Sequence, residues 1–335
     1  MQNLKYAWIY ALAIIGFPAL LCAEEAPINP MLNPVPFTQW LQAFESDARS
    51  QGIQQTTLDS AFSHTDAPLE RVITLDRKQP ESVLTLEEYL AGVVSKKRIS
   101  DGQKALAEHN KLLTKIGKKF GVQPRFIVAL WGIETNYGRN TGGFNTIDAL
   151  TTLAYDGRRS DFFRGELIDA LKILEEEQMD TSEMKGSWAG ALGQCQFMPS
   201  TYLKYAVDED KDGKRDIWGN SGDAFASIAN YLESLGWNKD EGWGRPVILP
   251  VDLDKHFIDI TKEKTLTEWS ELGVLTSDGD PLPKSHISAS LILVGKDENA
   301  VPYLVYGNYK ALLEWNKSRF FATSVGVLAD EIRSP

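Results

Sequence analysis

Residues 124–138 read PRFIVALWGIETNYG. Pro124 suits the first position of a helix, where its missing N–H costs nothing, and the run from Phe126 to Ile133 is apolar almost without a break. A segment of that kind packs as a buried helix. Glu134 stands at its end, ahead of the polar stretch TNYGRNTGG at 135–143. A carboxylate turned inward there is desolvated and its pKa rises. An acid that keeps its proton near neutral pH can protonate a glycosidic oxygen. The alternative is a solvent-facing carboxylate at a helix end, common for Glu, and the pattern alone leaves both open.

Outward from this helix the texture stays helical. Phe37, Trp40, Leu41 and Phe44 recur at three- and four-residue spacing, and Gly52 follows as a stop. Thr85 with Glu88 forms a capping-box pattern ahead of Tyr89 and Leu90. The spacing predicts one long helix over about 95–120, closed by Gly121. Further helices fit 146–155, 161–177 and 223–235. After Arg245 the pattern changes: PVILPV (246–251), HISASLILV (286–294) and YLVY (303–306) read as short strands. Residues 310–333 return to helix. The expected fold class is mainly α (α+β). It comprises a helical region at 37–120, a helical core at 121–244, a small β subdomain at 245–306 and a C-terminal helix at 307–335 returning to the core.

The N-terminus reads as an address. Lys5 precedes an apolar run from Ala7 to Ala23, then Glu24 and Glu25, which predicts a secretory signal at 1–23 cut after Ala23. The run is near the lower limit for a membrane span, so an uncleaved anchor is the alternative. Leu21 is too bulky for the small residue that precedes a lipidated cysteine such as Cys22 would be. Residues 24–36, EEAPINPMLNPVP, form a Pro-rich linker. Cleavage leaves Cys195 alone, so the exported chain has no internal disulfide.

The chain has 335 residues and a formal net charge of −11, with 43% hydrophobic and 24% charged residues. This is ordinary globular composition, with length for about two domains. It excludes a wholly disordered chain and a multi-span membrane protein. The acidic balance excludes general nucleic-acid binding, which needs a basic stripe. Any anionic polymer must therefore be held by a shaped groove. The four histidines, His64, His109, His256 and His286, show no metal-ligand spacing. Nine Trp and eleven Tyr offer flat faces for stacking on sugar rings or bases.

Five stretches in order carry a resemblance: ALWGIETNYG (129–138), YDGRR (155–159) with Phe162 and Phe163, GSWAGALGQCQFMPS (186–200), ANYL (229–232) and WNKSRFF (315–321). Together they resemble the lytic murein transglycosylase B family over about residues 36–333. The resemblance implies a goose-lysozyme-like helical core and an enzyme that cleaves peptidoglycan glycan strands. It implies that Glu134 acts alone, first as acid and then as base, with no second carboxylate. Asp148, Asp156 and Asp161 are the nearest candidates, and none has a comparable apolar setting. Ser187 would hold the substrate's acetamido group or orient Glu134; without the family it is a turn serine. Gln196 would donate to sugar oxygens and Phe197 would line the cleft. Tyr231 would bond near Glu134, or be core. Arg158 and Arg159 suit carboxylates of the glycan peptides, or form a solvated basic turn. Asn316 offers both donor and acceptor. Trp315 and Phe321 stand where the family often has Tyr, and Phe321 lacks the hydroxyl. Cys195 stands where a small residue is expected and, with no His near it, reads as packing.

Residues 208–216, DEDKDGKRD, match the first nine positions of an EF-hand loop. Asp208, Asp210 and Asp212 fall at positions one, three and five, Gly213 at six, and the Lys214 carbonyl at seven. The twelfth position is Gly219 rather than the bidentate Glu, and Asp223 is the expected substitute. The loop at 208–223 is therefore a candidate structural Ca²⁺ site, its alternative an ion-free acidic turn. No organic cofactor is expected. The resulting expectation is a periplasmic lytic transglycosylase, touching a membrane only through an uncleaved N-terminus. A hydrolytic muramidase, a non-catalytic peptidoglycan-binding protein and, weakly, a calcium sensor are the alternatives. Proteins of a cell-wall synthesis complex are compatible partners, although no motif names one.

Overall fold

The computed structural model describes residues 33–77 and 84–333. The signal segment at 1–23 and residues 24–32 of the linker lie outside them. The chain begins with helices α1 (Phe37–Ser50), α2 (Gln55–Ala61), α3 (Glu70–Arg77), α4 (Leu86–Val93), α5 (Lys96–Glu108), α6 (Asn110–Phe120) and α7 (Pro124–Thr135). Strand β1 (Phe144–Asn145), α8 (Thr146–Asp156), α9 (Ser160–Glu176), β2 (Lys185–Gly186), α10 (Pro199–Tyr205) and α11 (Ser221–Ser234) follow. The last part holds β3 (Gly244–Ile248), β4 (Glu263–Thr265), α12 (Leu266–Glu271), β5 (Leu275–Thr276), β6 (Ser288–Val294), β7 (Val301–Val305), α13 (Gly307–Trp315) and α14 (Arg319–Glu331). No helix among the described residues is long and apolar enough to cross a membrane.

The described residues pack as two units, 33–77 with 134–228 and 84–133 with 229–333. The first unit is built on α8, buried nearly all round, with α9 and α3 packed against it. The aromatic stripe of α1 lies where its spacing placed it: Trp40 stacks on Phe44 at 5.6 Å, and Phe37 meets the edge of Tyr155 at 5.1 Å. Strands β1 and β2 pair antiparallel, Phe144 opposite Gly186.

The second unit carries an antiparallel five-stranded sheet in the order β4-β6-β7-β3-β5. Leu291 sits opposite Leu304 in its centre, and Trp269 of α12 is enclosed beside them, its Nε1 donating to the Ala289 carbonyl at 2.9 Å. Such a bond is what lets a buried indole keep its polar end satisfied. The capping box ahead of α4 forms as expected: Glu88 N donates to Thr85 Oγ1 at 3.2 Å, and Thr85 N to Glu88 Oε2 at 2.9 Å.

Two helix expectations are corrected. The helix expected over 95–120 breaks at His109, whose ψ of 14° ends α5 and starts α6. The His109 ring packs edge-on against Trp131 at 5.9 Å. The helix expected over 310–333 is two, parted at Asn316, with the Ser318 hydroxyl capping α14 through Phe321 N at 3.3 Å. No Gly or Pro marks either break. β4 and β5 are too short for their alternation to be read.

Candidate active site

Glu134 lies one residue from the end of α7, with 6% of its surface exposed. The apolar run before it is enclosed, so the helix carries the carboxyl into the protein rather than out to water. Its neighbour Thr135 is fully buried and knits the helix end to two loops. Thr135 Oγ1 donates to the Gln194 carbonyl at 3.2 Å and accepts from Gly138 N at 3.1 Å. Asn140 N donates to the Thr135 carbonyl at 2.9 Å.

The second loop is the Gly-rich stretch 186–197, folded back by antiparallel bridges between Gly186 and Leu192 and between Leu192 and Phe197. Ser187 is buried in it. Its Oγ accepts from Ala189 N at 3.3 Å and Ala191 N at 3.0 Å, which occupies both lone pairs and leaves the hydroxyl proton as its remaining capacity. Gly142 explains how the two loops lie so close: a Cβ there would sit 2.0 Å from the Gly186 carbonyl oxygen and 2.6 Å from Ser187 N.

Gln196 corrects an expectation. Its Nε2 donates to the carbonyls of Thr141 at 3.0 Å and Gly193 at 2.8 Å, so both amide protons are used inside the protein. What it has left is the acceptor Oε1, not a donor. Phe197 is buried in the same loop. Cys195 is fully buried, its thiol donating to the Ala224 carbonyl at 3.3 Å. Burial raises its pKa well above the ordinary thiol value, with the charges of Glu134 and Asp223 adding to the rise. It is packing, as read.

The three neighbouring carboxylates have settings unlike that of Glu134. Asp148 accepts from Thr65 Oγ1 at 2.7 Å, Asp156 pairs with Arg77 at 2.7 Å, and Asp161 is exposed at the start of α9. The paired arginines meet a residue that sequence reasoning missed. Buried Asp76 of α3 takes Arg159 Nη2 at 2.5 Å and Arg158 Nε at 3.5 Å. Burial lowers the Arg159 pKa, and Asp76 opposes that shift. Trp188 was also passed over. It is half-buried next to Ser187 and makes no hydrogen bond or ring contact among the described residues.

The remaining expected contacts belong to the second unit. Tyr231 and Trp315 hold their rings 5.2 Å apart. Asn316 ends α13, its Oδ1 accepting from Ser318 N at 3.0 Å. Phe321 is a correction: it is 0% exposed inside α14 and offers no face to a ligand. Without the hydroxyl of a Tyr, it has no polar end that would have to reach a partner.

In the acidic loop, one carboxylate oxygen each of Asp208, Asp210 and Asp212 lies within 4.8 Å of the others. Asp208 accepts from Lys211 N and Gly213 N, Asp210 from Asp212 N, and Asp212 from Lys214 N, turns that point the carboxylates inward. Three like charges this close repel unless a cation joins them, and an all-oxygen set suits a hard ion such as Ca²⁺. Asp223 is not grouped with them. Fully buried, it accepts from Glu209 N at 2.8 Å and Asp216 N at 2.9 Å, clamping the two ends of the loop. Burial pushes its carboxyl up to about 6; the two N–H bonds oppose the rise, and the charges of Asp210 and Asp208 add to it. Asn220 approaches instead, donating to Asp210 Oδ2 at 2.7 Å. A Cβ at Gly219 would lie 2.7 Å from Asp216 Oδ2, so a side chain there would have to displace the Asp216 carboxylate.

A family model described as the transglycosylase SLT domain matches residues 36–330. The chain belongs to this family. Among solved structures, SltB3 from Pseudomonas aeruginosa in complex with NAG-anhNAM-pentapeptide matches with a TM-score of 0.84 and 43% identity. That match covers 88% of this chain and 79% of SltB3. The Escherichia coli lytic transglycosylase Slt35 in complex with calcium matches with a TM-score of 0.74 and 27% identity, over 90% of this chain and 93% of Slt35. The membrane-bound lytic murein transglycosylase B of Escherichia coli (strain K12) is 42% identical over 135 residues. This match spans 40% of this chain and 37% of that relative's length. The transglycosylase family, its enzymatic class and the lysozyme-like, mainly helical fold expected from the sequence are thereby borne out.

Proposed function

We propose that the protein is a lytic transglycosylase that cleaves the MurNAc-β-1,4-GlcNAc bond of peptidoglycan with Glu134 as its single acid and base. The observation that carries this reading is the enclosure of Glu134 at the end of α7, beside a loop whose serine has only a proton left to give. Glu134 protonates the glycosidic oxygen, and the C1–O4 bond breaks with the electron pair going to that oxygen. The positive charge left at C1 is stabilised by the sugar's own acetamido oxygen, as in substrate-assisted glycosidases. The Glu134 carboxylate then takes the C6 hydroxyl proton, and O6 closes on C1. One group serves both steps, no water is consumed, and the product is 1,6-anhydro-MurNAc.

Ser187 donates its hydroxyl proton to the acetamido oxygen, and the Gln196 Oε1 accepts from the glycan. Arg158 is the more exposed of the arginine pair and the better placed for a peptide carboxylate. Tyr231, Trp315 and Asn316 are glycan-binding residues as well. Asp208, Asp210 and Asp212, with the Lys214 carbonyl, hold a Ca²⁺ ion that neutralises the loop. Work on the cell wall after export through the N-terminal signal places the protein in the periplasm.

Mass spectrometry of muropeptides released from purified peptidoglycan tests the reading. Anhydro products, lighter by one water than reducing ends, are expected, and Glu134→Gln is expected to release none. Reducing-end products would favour a hydrolytic muramidase. Release by Glu134→Gln at the wild-type rate would sink the assignment of the acid.

A further inference from the structure

The acidic loop and Glu134 are far apart in sequence, yet Gln194 bridges their surroundings. Its backbone N–H donates to the Ile217 carbonyl at 2.8 Å, and its Nε2 to the Trp218 carbonyl at 3.1 Å. On its other side, its carbonyl accepts the Thr135 hydroxyl at 3.2 Å, one residue from Glu134. Gln194 and Thr135 are both buried, where such bonds are stronger than in water and costly to break. The segment that Gln194 grips is itself tied to the acidic loop. Asp216 N donates to Asp223, which also holds Glu209 N, next to Asp208.

We infer that Gln194 is a positioning residue that couples cation occupancy of the acidic loop to the placement of Glu134. The inference rests on the proposed roles of Glu134 as acid and of the loop as a divalent-cation site. Without a cation, Asp208, Asp210 and Asp212 push apart, and the strain falls on the clamp at Asp223 and the segment after Asp216. With a cation the loop closes, 216–218 is fixed, and Gln194 fixes the end of α7. Every contact along this path except the Asp223 carboxylate ends on a backbone carbonyl, so movement of the loop moves the chain itself. Misplacing a catalytic group by about 1 Å costs on the order of a hundredfold in rate.

Gln194→Met keeps the length and the backbone bond but removes the Nε2 donor. Thr135→Val removes the bond on the other side, together with the acceptor of Gly138 N, and leaves Gln194 intact. Calorimetry measures Ca²⁺ binding to each full-length protein, alone and saturated with chitotetraose, a probe lacking the muramic sugar. In the wild type the oligosaccharide should tighten Ca²⁺ binding by roughly fivefold or more, and Ca²⁺ should tighten oligosaccharide binding by the same factor, since coupling is reciprocal. In both variants Ca²⁺ should still bind with the factor reduced to about one, and at saturating Ca²⁺ kcat should fall while KM rises by no more than the lost coupling factor. Equal coupling in wild type and variants, or Ca²⁺ binding without coupling in the wild type, overturns the inference and leaves the loop site standing. No Ca²⁺ binding by the wild type overturns the loop site and the coupling with it. Release of anhydro products by Glu134→Gln would instead remove the acid whose placement is at issue.

Discussion

Gly142→Ala should disable the enzyme through a single methyl group. The new Cβ would lie 2.0 Å from the Gly186 carbonyl oxygen and 2.2 Å from its carbon, both backbone atoms that cannot rotate away. Restoring an ordinary contact of about 3.4 Å means opening the gap between the loops by more than about 1 Å. Ser187 follows directly on Gly186, so its hydroxyl moves with it. The rate should fall about a hundredfold, and overpacking plus the φ of +96° should cost about 2–4 kcal/mol of stability. Gly52→Ala is the control. It has nearly the same backbone angle, φ +97°, and nothing within 4 Å of its Cβ. It should lose about 1 kcal/mol from the backbone conformation and no activity. The assay is initial release of soluble muropeptides alongside a melting curve for each variant. Wild-type turnover by Gly142→Ala would refute the argument that the position of Ser187 matters.

Tyr309 gives a pH prediction. Burial pushes its hydroxyl up to about 12, and its bonds to the Arg319 carbonyl and Thr323 do not reverse the shift. The folded state therefore keeps a proton that the unfolded state loses near pH 10, so stability present below pH 10 should drain between about pH 10 and 12, on the order of 3 kcal/mol. Alkaline melting should show this loss, and Tyr309→Phe should flatten it. Asp76→Ala leaves the Arg159 guanidinium without its carboxylate and should destabilise by roughly 2–3 kcal/mol in urea unfolding. An unchanged midpoint would show that water replaces the ion pair. Chelation with EDTA should lower the melting temperature by several degrees if Ca²⁺ is bound. Asp208→Asn and Asp210→Asn together should start from that lower value and not respond.

Helix α7 was the most legible part of the chain. Proline at one end, an unbroken apolar run and an acid before a polar loop leave few ways to fold, and α7 forms over that run with Glu134 enclosed. The three carboxylates of the acidic loop were equally legible, because alternating Asp residues and a glycine specify a tight turn locally. What failed to show was long-range. Asp76 lies 83 residues from Arg159, and no spacing rule links them. Asp223 is legible as the late carboxylate that replaces the missing Glu; its two backbone donors, Glu209 N and Asp216 N, are not. Gln196 looked like a donor until the carbonyls of Thr141 and Gly193 took both protons. The breaks at His109 and Asn316 lack a helix-breaking residue, so periodicity ran straight through them.

If Ser187 and Gln196 hold the glycan as proposed, the leftover bonding capacity of the Gly-rich loop also selects chemistry. Ser187 has a proton to give, and Gln196 has a lone pair to share. An N-acyl sugar offers a carbonyl to accept that proton and an N–H to donate to a lone pair. A de-acetylated sugar carries an ammonium instead, three donors and no acceptor, and would leave the serine proton facing nothing. Stripping acetyl groups from a cell wall should therefore shield it from this enzyme at the binding step, before any bond is broken.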